Sequence, residues 1–476
     1  MKVIRLDTEE SNNANRFLKS ALIIDGLFCS CDQAINWIAS RRSDVKVHIE
    51  QKLLSEMKEW QYDTASGRVT HVTGHFFSID GIQVNTNVGT TKTWCQPIIN
   101  QPEIGYLGCI VKEFEGVLYF LVQAKIEPGN TNVVQISPTL QATRSNYSQV
   151  HNGRAPKYLE FFNVPGKSKV LLDQLQSEQG ARFLRKRNRN IIVETHEDIG
   201  LTDDFRWLTL GQIKKLIEHD NVVNMDLRTV ISGIQINQCS VQLDTFLDIN
   251  SGTSYAHAMF RSANSSASYS SITSIFSWLT ELKAKSDLFV RHVKLDELEG
   301  WVLSDEKISR NDNSYFDILW VSVEIANREV AKWDQPILAP HSEGLNAFII
   351  KNIDGVQHFL VQAKMECGNF DTFELAPTVS CAKPDYAKYA GAIPFLKEVI
   401  DANQAAVVSR TLQSEEGGRF FKDQNVNMII DGGLDFSLSL PPNFKWMTLG
   451  QILFFMKFNN YVNIDARSII SGIRFS

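Results

Sequence analysis

The chain has 476 residues, 43% of them apolar, enough to bury a large core and to suggest two to four domains. A net charge of -6 gives no global pull toward nucleic acid or an anionic membrane, so any anion site must be local. Seven scattered cysteines without a CxxC pair, an amino terminus without the apolar core of a signal peptide, and no apolar run near the ~18 residues of a membrane span point to a reducing cytoplasm.

In chain order, residues 17–28 form an apolar patch, and a helix opens near Asp32 with Trp37 on its inner face. Strand-like runs flank Glu115-Gly116, a hairpin signal. Residues 175–187 carry apolar groups at helical spacing. Thr209-Leu-Gly-Gln212 reads as a capping box opening a helix, and Asp226 as the cap of a last short helix. Residues 235–249 alternate as an edge strand would, and residues 250–274 are serine-rich, the composition of a polar connector.

Most of this pattern is written twice. FLVQAKIEPGN from Phe120 returns as FLVQAKMECGN from Phe359, and Pro138-Thr139 as Pro377-Thr378, all at an offset of 239. Trp37, Trp60, Trp94 and Trp207 have partners in Trp278, Trp301, Trp333 and Trp446. The hairpin turn recurs as Asp354-Gly355, the capping box at Thr448 and the last cap at Asp465. Two related mixed α+β modules, residues 1–249 and 275–476, are expected on either side of the 250–274 connector.

Comparing the copies separates frame from chemistry. Gln123, Lys125, Glu127, Asn130, Glu178, Arg182 and Asn188 are kept, whereas Gln141, Asn146, His151, Arg187 and Arg189 give way to Ser380, Asp385, Ala390, Gln424 and Val426. Lys125 and Glu127, two apart on a strand, share a face; such a pair serves either acid/base work or a strand-edge ion pair. The run ARFLRKRNRN, with Arg182, Arg185, Lys186, Arg187 and Arg189, suits a diphosphate, or else is a solvated basic helix end. Tyr147 and His151 are candidate proton-transfer groups on a loop. Dinucleotide, P-loop, esterase and zinc-hydrolase motifs are all missing.

Taken in order, FLVQAKIEPGN, SPTLQATRSNY, LQSEQGARFLRKRNRN, and WLTLGQ followed by VNMDLRTVISG resemble the nucleotide-diphosphate-hexose 2,3-dehydratases of bacterial deoxysugar biosynthesis. That resemblance spans nearly the whole chain, doubling included. It implies a tandem duplication of two Nudix-like modules and a homodimer; the richer polar set of the first copy marks that module as the catalytic one and the second as structural or accessory. The implied substrate is a dTDP-4-keto-6-deoxyhexose, with no cofactor or metal and with a 3-ketoreductase partner. The Nudix hydrolase box is absent from both copies.

In the implied reaction a base removes the acidic C3 hydrogen, charge gathers on the C4 oxygen, and the C2 hydroxyl leaves with help from an acid. Lys125 is then the candidate to stabilise the enolate, with Glu127, Tyr147, His151 and Glu178 as the acid/base pool. Arg182, Lys186, Arg187 and Arg189 are assigned to the diphosphate, and Gln141, Ser145 and Asn146 to the sugar. Gln123, Asn130, Asn188 and Trp94 complete the expected substrate contacts, Trp94 and Trp207 offering an aromatic wall to thymine or sugar, although tryptophans matched in both copies read first as core. Two other readings stay open: a nucleotide-sugar binding module without catalysis, and a Nudix-type hydrolase.

Overall fold

Two similar halves, each a mixture of sheets and a few helices, make up the molecule. A computed structural model describes residues 9–143, 155–241, 254–325, 332–382 and 393–476. Each half is built on a seven-stranded sheet. In the first, the order is Lys169–Ser177, Arg187–Glu194, Gly105–Phe114, Val117–Ile126 and Phe205–Thr209, with Val134–Pro138 and Leu140–Ala142 pairing off this path. The second repeats the order with Val407–Ser414, Gln424–Asp431, Gly344–Ile353, Val356–Lys364 and Phe444–Thr448. The central hairpin turns at Glu115 (φ 51°) and Gly116 (φ 75°), and at Asp354 (φ 51°) and Gly355 (φ 81°) in the other half. Consecutive left-handed residues match the twist of the flanking strands, which is why this dipeptide signal was legible.

Phe120 and Val122 point into a core that continues across the junction to Phe359 and Val361. Burial of each such side chain contributes about 1.5–3 kcal/mol. Helix Leu210–Leu216 carries the expected capping box on Thr209, and Leu449–Met456 the same on Thr448. Helix Cys31–Ser43 buries Trp37, as its spacing suggests. The first helix, Glu9–Leu22, is fixed by Ser20, which donates to Leu118 O and accepts from Leu210 N.

Neither half completes its smaller, five-stranded sheet alone. Val47–Gln51 crosses to pair antiparallel with Phe316–Ile325, and Leu288–Val293 crosses the other way to pair with Ser78–Thr86. The repeated tryptophans brace this exchange: Trp60 Nε1 donates to Asp334 O and Trp301 Nε1 to Cys95 O, both at 2.8 Å. The repeated Gly-Asn pair does the same. Gly129 N donates to Gly417 O at 2.7 Å, and a Cβ added there would lie 1.7 Å from Phe420 O. Gly368 meets Gly180 O and Phe183 O in the reciprocal contact.

Four sequence expectations change. Residues 175–187 are not a helix: Gln174 to Ser177 pair with Asn190 to Arg187 in an antiparallel ladder, and the apolar spacing was read across the intervening turn. The final helices, Met225–Ser232 and Ile464–Ser471, are capped by Asn224 and Asn463, not by Asp226 and Asp465. Within the serine-rich 250–274, Ser254–Asn264 is a helix that buries Ala256, Met259 and Phe260. Its Ser262 donates to Gln357 O and accepts from Leu449 N, the pattern made by Ser20 in the other half. Residues 235–241 contain the short 3₁₀ turn Ile236–Gln238 and no strand.

Candidate active site

Lys125 and Glu127 stand at the end of the Val117–Ile126 strand and line a cleft of about 620 Å³. Gln123 joins them from the same strand, and Gln141, Lys186 and Asn188 from neighbouring strands and turns. Gln141 Nε2 donates to Glu127 Oε1 at 2.6 Å and Asn130 Nδ2 to Glu127 Oε2 at 3.3 Å, so two amides aim this buried carboxylate. Asn224 in turn donates to Gln141 Oε1 at 3.1 Å, which ties the arrangement to a helix cap. Glu178 lies behind, 4% exposed, accepting from Asn188 Nδ2 at 2.6 Å, while its Oε2 has no hydrogen-bond partner among the described residues.

The opposite wall comes from the second half. Glu416, Gly418, Arg419, Lys332, Trp333 and Gln335 line the same cleft, joined by the aromatic Trp60, His71, Phe76 and Phe77. The Arg419 guanidinium lies 4.1 Å from the centre of the Phe77 ring, and its Nε donates to Gln101 Oε1 at 3.1 Å. Asp226, 2% exposed and freed from capping by Asn224, completes the set.

Four carboxyl groups therefore share a confined space with Lys125, Lys186 and Arg419. Burial, reinforced by the charge of Glu416, pushes the Glu178 carboxyl up to about 7, against the opposing pull of Arg467, Lys186 and Asn188. Asp226 is held well above the usual carboxylate range by burial and then by Glu416, Glu127 and Glu178. Glu416 is raised by burial and by Glu127, with Arg419 opposing. Burial lowers Lys186 and Arg419, although the surrounding carboxylates favour their charged forms. Such a cleft can donate a proton from a carboxylic acid, neutralise an oxyanion with an ammonium, and hold an anion.

The remaining expected residues disperse. Arg182 turns to the other half, its guanidinium 4.3 Å from the Phe316 ring centre and its charge facing Asp423, Glu366 and Glu415. Arg187 lies over Phe370 at 4.0 Å, and Arg189 pairs with Asp173 and Tyr106. Of the basic run only Lys186 lines the cleft, because a turn and then strand alternation send its neighbours elsewhere. Trp94 bonds Gln96 and packs near Cys367; its counterpart Trp333 takes the place expected for it. Trp207 is core. Ser145, Asn146, Tyr147 and His151 lie outside the described residues.

Sequence reasoning missed Asp226, Glu416, Arg419 and Trp333 as cleft residues. One signal was present: Glu416 stands where the first copy has Gln179. In the corresponding centre of the second half, Lys364 bonds Glu366 and Ser380 at 2.8 and 2.9 Å, and Ser380 donates to Asp465 at 2.9 Å, a closed network. Among the described residues, no cluster of His, Cys, Asp and Glu has a metal-holding arrangement, and no helix is long and apolar enough to cross a membrane.

The family model described as NDP-hexose 2,3-dehydratase matches residues 31–234 and again 272–473. A protein of Saccharopolyspora spinosa named dTDP-4-dehydro-6-deoxy-alpha-D-glucopyranose 2,3-dehydratase is 41% identical over 97% of this chain and 95% of its own length. Proteins of the same name from Amycolatopsis orientalis and Streptomyces violaceoruber are 39% and 38% identical, over 97% and 92% of this chain and 93% and 96% of their own. A solved structure described as an ADP compounds hydrolase is matched at a TM-score of 0.22 and 15% identity, over 35% of this chain and 86% of that one, a likeness too slight to carry an argument.

Proposed function

Because the chain belongs to the NDP-hexose 2,3-dehydratase family, we propose that it removes water across C2 and C3 of a dTDP-4-keto-6-deoxyhexose, giving the 3,4-diketo-2,6-dideoxy sugar of a deoxysugar pathway. The observation that carries the reading is one cleft, of a size suited to a small molecule, in which Lys125 and Glu127 face carboxyl groups held protonated toward neutral pH.

Glu127 takes the C3 proton, oriented by Gln141 and Asn130. Lys125 receives the charge that develops on the C4 oxygen. Lys186 and Arg419 hold the diphosphate, and Trp333 with Phe77 offers an apolar wall to thymine. Glu178 acts from behind Asn188 as a proton store for the cleft. Ser145, Asn146, Tyr147 and His151 keep their proposed roles on the strength of the motif that contains them.

The larger architecture belongs to the same proposal. A tandem duplication of two Nudix-like modules is supported by the repeated strand order and by the paired serine contacts of Ser20 and Ser262. A homodimer and a 3-ketoreductase that consumes the labile diketo product follow from the family resemblance, and a reducing cytoplasm agrees with seven cysteines that form no disulfide.

Incubation with dTDP-4-keto-6-deoxyglucose and a 3-ketoreductase trap tests the reading. Loss of water supports it. Release of a nucleoside monophosphate would indicate hydrolysis instead, and binding without conversion a recognition module.

A further inference from the structure

The two copies of one motif differ at a single acidic position: LQSEQGARF in the first and LQSEEGGRF in the second, so that Glu416 corresponds to Gln179. Each loop serves the opposite half. Gln179 donates to Glu415 in the second centre, whereas Glu416 lines the cleft built on Lys125 and Glu127. A Cβ added at Gly418 would lie 2.9 Å from Glu416 Oε1 and 3.9 Å from Glu127 Oε1, so both carboxylates flank the same point of the cleft wall.

The loop is also firmly held. Gly417 O accepts from Gly129 N at 2.7 Å, Gly418 O from Gln335 Nε2 at 2.8 Å, and Ser414 O from Arg228 Nη2 at 2.6 Å. No hydrogen bond or ion pair engages the Glu416 carboxylate itself among the described residues, and the residue is half-buried, whereas Asp226 is almost sealed. A fixed backbone with an uncommitted carboxyl open to the cleft is the arrangement a proton donor requires.

We propose that Glu416, supplied by the second half, is the general acid that protonates the departing C2 hydroxyl of a sugar held over Lys125 and Glu127. The assignment rests on the dehydratase reading and deepens it. As Glu127 takes the C3 proton, the C–H electrons pass into the enolate whose C4 oxygen faces Lys125; they then return to form the C2–C3 double bond as the C2–O bond breaks, and the Glu416 proton completes the water that leaves. Glu127 ends protonated and Glu416 ionised; the enol then takes a proton at C2 and gives up its hydroxyl proton, and the two carboxyls re-equilibrate through solvent. Burial and the neighbouring Glu127 favour the protonated form that the step consumes.

The test uses the full-length protein and two substrates, dTDP-4-keto-6-deoxyglucose and its 2-deoxy-2-fluoro analogue, from which fluoride leaves without needing a proton donor. Glu416→Gln places here the residue that the other half carries at Gln179. It should lower water loss by about 10²–10⁴-fold while fluoride release stays within a few-fold of wild type. Glu416→Asp should recover part of the lost dehydration. Equal losses with both substrates in a variant that melts like wild type would overturn the assignment, as would an unchanged rate of dehydration. A wild type that releases neither water nor fluoride would refute the dehydratase reading itself, and the acid assignment with it.

Discussion

Lys214 offers a direct measurement of what the junction between the halves costs to build. It is 6% exposed, its ammonium lies about 6.0 Å from the centre of the Phe475 ring, and its one hydrogen bond goes to Ser471 O at 2.8 Å. Around it are Leu210, Ile231, Leu453 and Ile470, and the small void between them, about 20 Å³, is water-sized. Burial lowers its pKa from 10.5 to about 7. Since the unfolded chain keeps the higher value, it binds more protons than the folded chain between pH 7 and 10.5, and stability rises with pH across that window. The difference corresponds to about 5 kcal/mol of lost stability at pH 6, shrinking to about 1 kcal/mol at pH 10. The second half has Leu453 at the corresponding position, so an apolar side chain fits. Lys214→Met should therefore stabilise the protein by about 4 kcal/mol at pH 6, allowing about 1 kcal/mol for the lost hydrogen bond, and by almost nothing at pH 10. Urea midpoints of both proteins from pH 6 to 10 give the comparison. Parallel curves would show that Lys214 stays charged in the fold and refute the reasoning.

Glu178→Gln should behave in the opposite sense. The wild-type carboxyl, raised from 4.5 to about 7, makes its full favourable contribution below pH 4.5 and loses it by pH 7, so the variant gains about 3 kcal/mol relative to wild type between pH 4.5 and 8 in the same unfolding assay. Gly129→Ala should destabilise by about 1–3 kcal/mol, because its Cβ meets the Phe420 carbonyl. It should also cut kcat/KM at least tenfold by displacing the Glu416–Arg419 loop; Gly200→Ala, with nothing within 4 Å, serves as the neutral control. Arg419→Gln should weaken dTDP binding by about 1.5–3 kcal/mol in calorimetry, while Arg182→Gln leaves the affinity of the folded protein unchanged. The reverse ranking would return the diphosphate to the original basic run.

Local chemistry was legible and long-range pairing was not. The capping boxes at Thr209 and Thr448 and the hairpins at Glu115-Gly116 and Asp354-Gly355 depend on neighbours within a few residues, and they were read correctly. The strand exchange joins Val47 to Ile325, a pairing decided by tertiary packing, with no local signature. The stretch 175–187 misled for a related reason: its apolar residues belong to a strand and to a turn, and their spacing mimicked a helix. Lys125, Glu127 and Gln141 meet in one cleft because a strand and its partners keep them together. The basic run dissolved because adjacency in sequence across a turn is not adjacency in space. Asp226 was hidden by a wrong cap: Asn224, two residues earlier and as good a cap by type, takes that place. Comparing the copies looked for chemistry among residues unique to the first half, whereas Glu416 and Arg419 reach its cleft from across the junction.

The reciprocal crossing of Val47–Gln51 and Leu288–Val293 makes the molecule an intertwined pair held on a single thread. Covalent linkage keeps the partners at high effective concentration, so neither must find the other by diffusion. The same weave couples their chemistry: a substitution in the loop of one half is felt in the centre of the other. The half with the closed hydrogen-bond network thus still supplies a wall of the cleft built on Lys125 and Glu127.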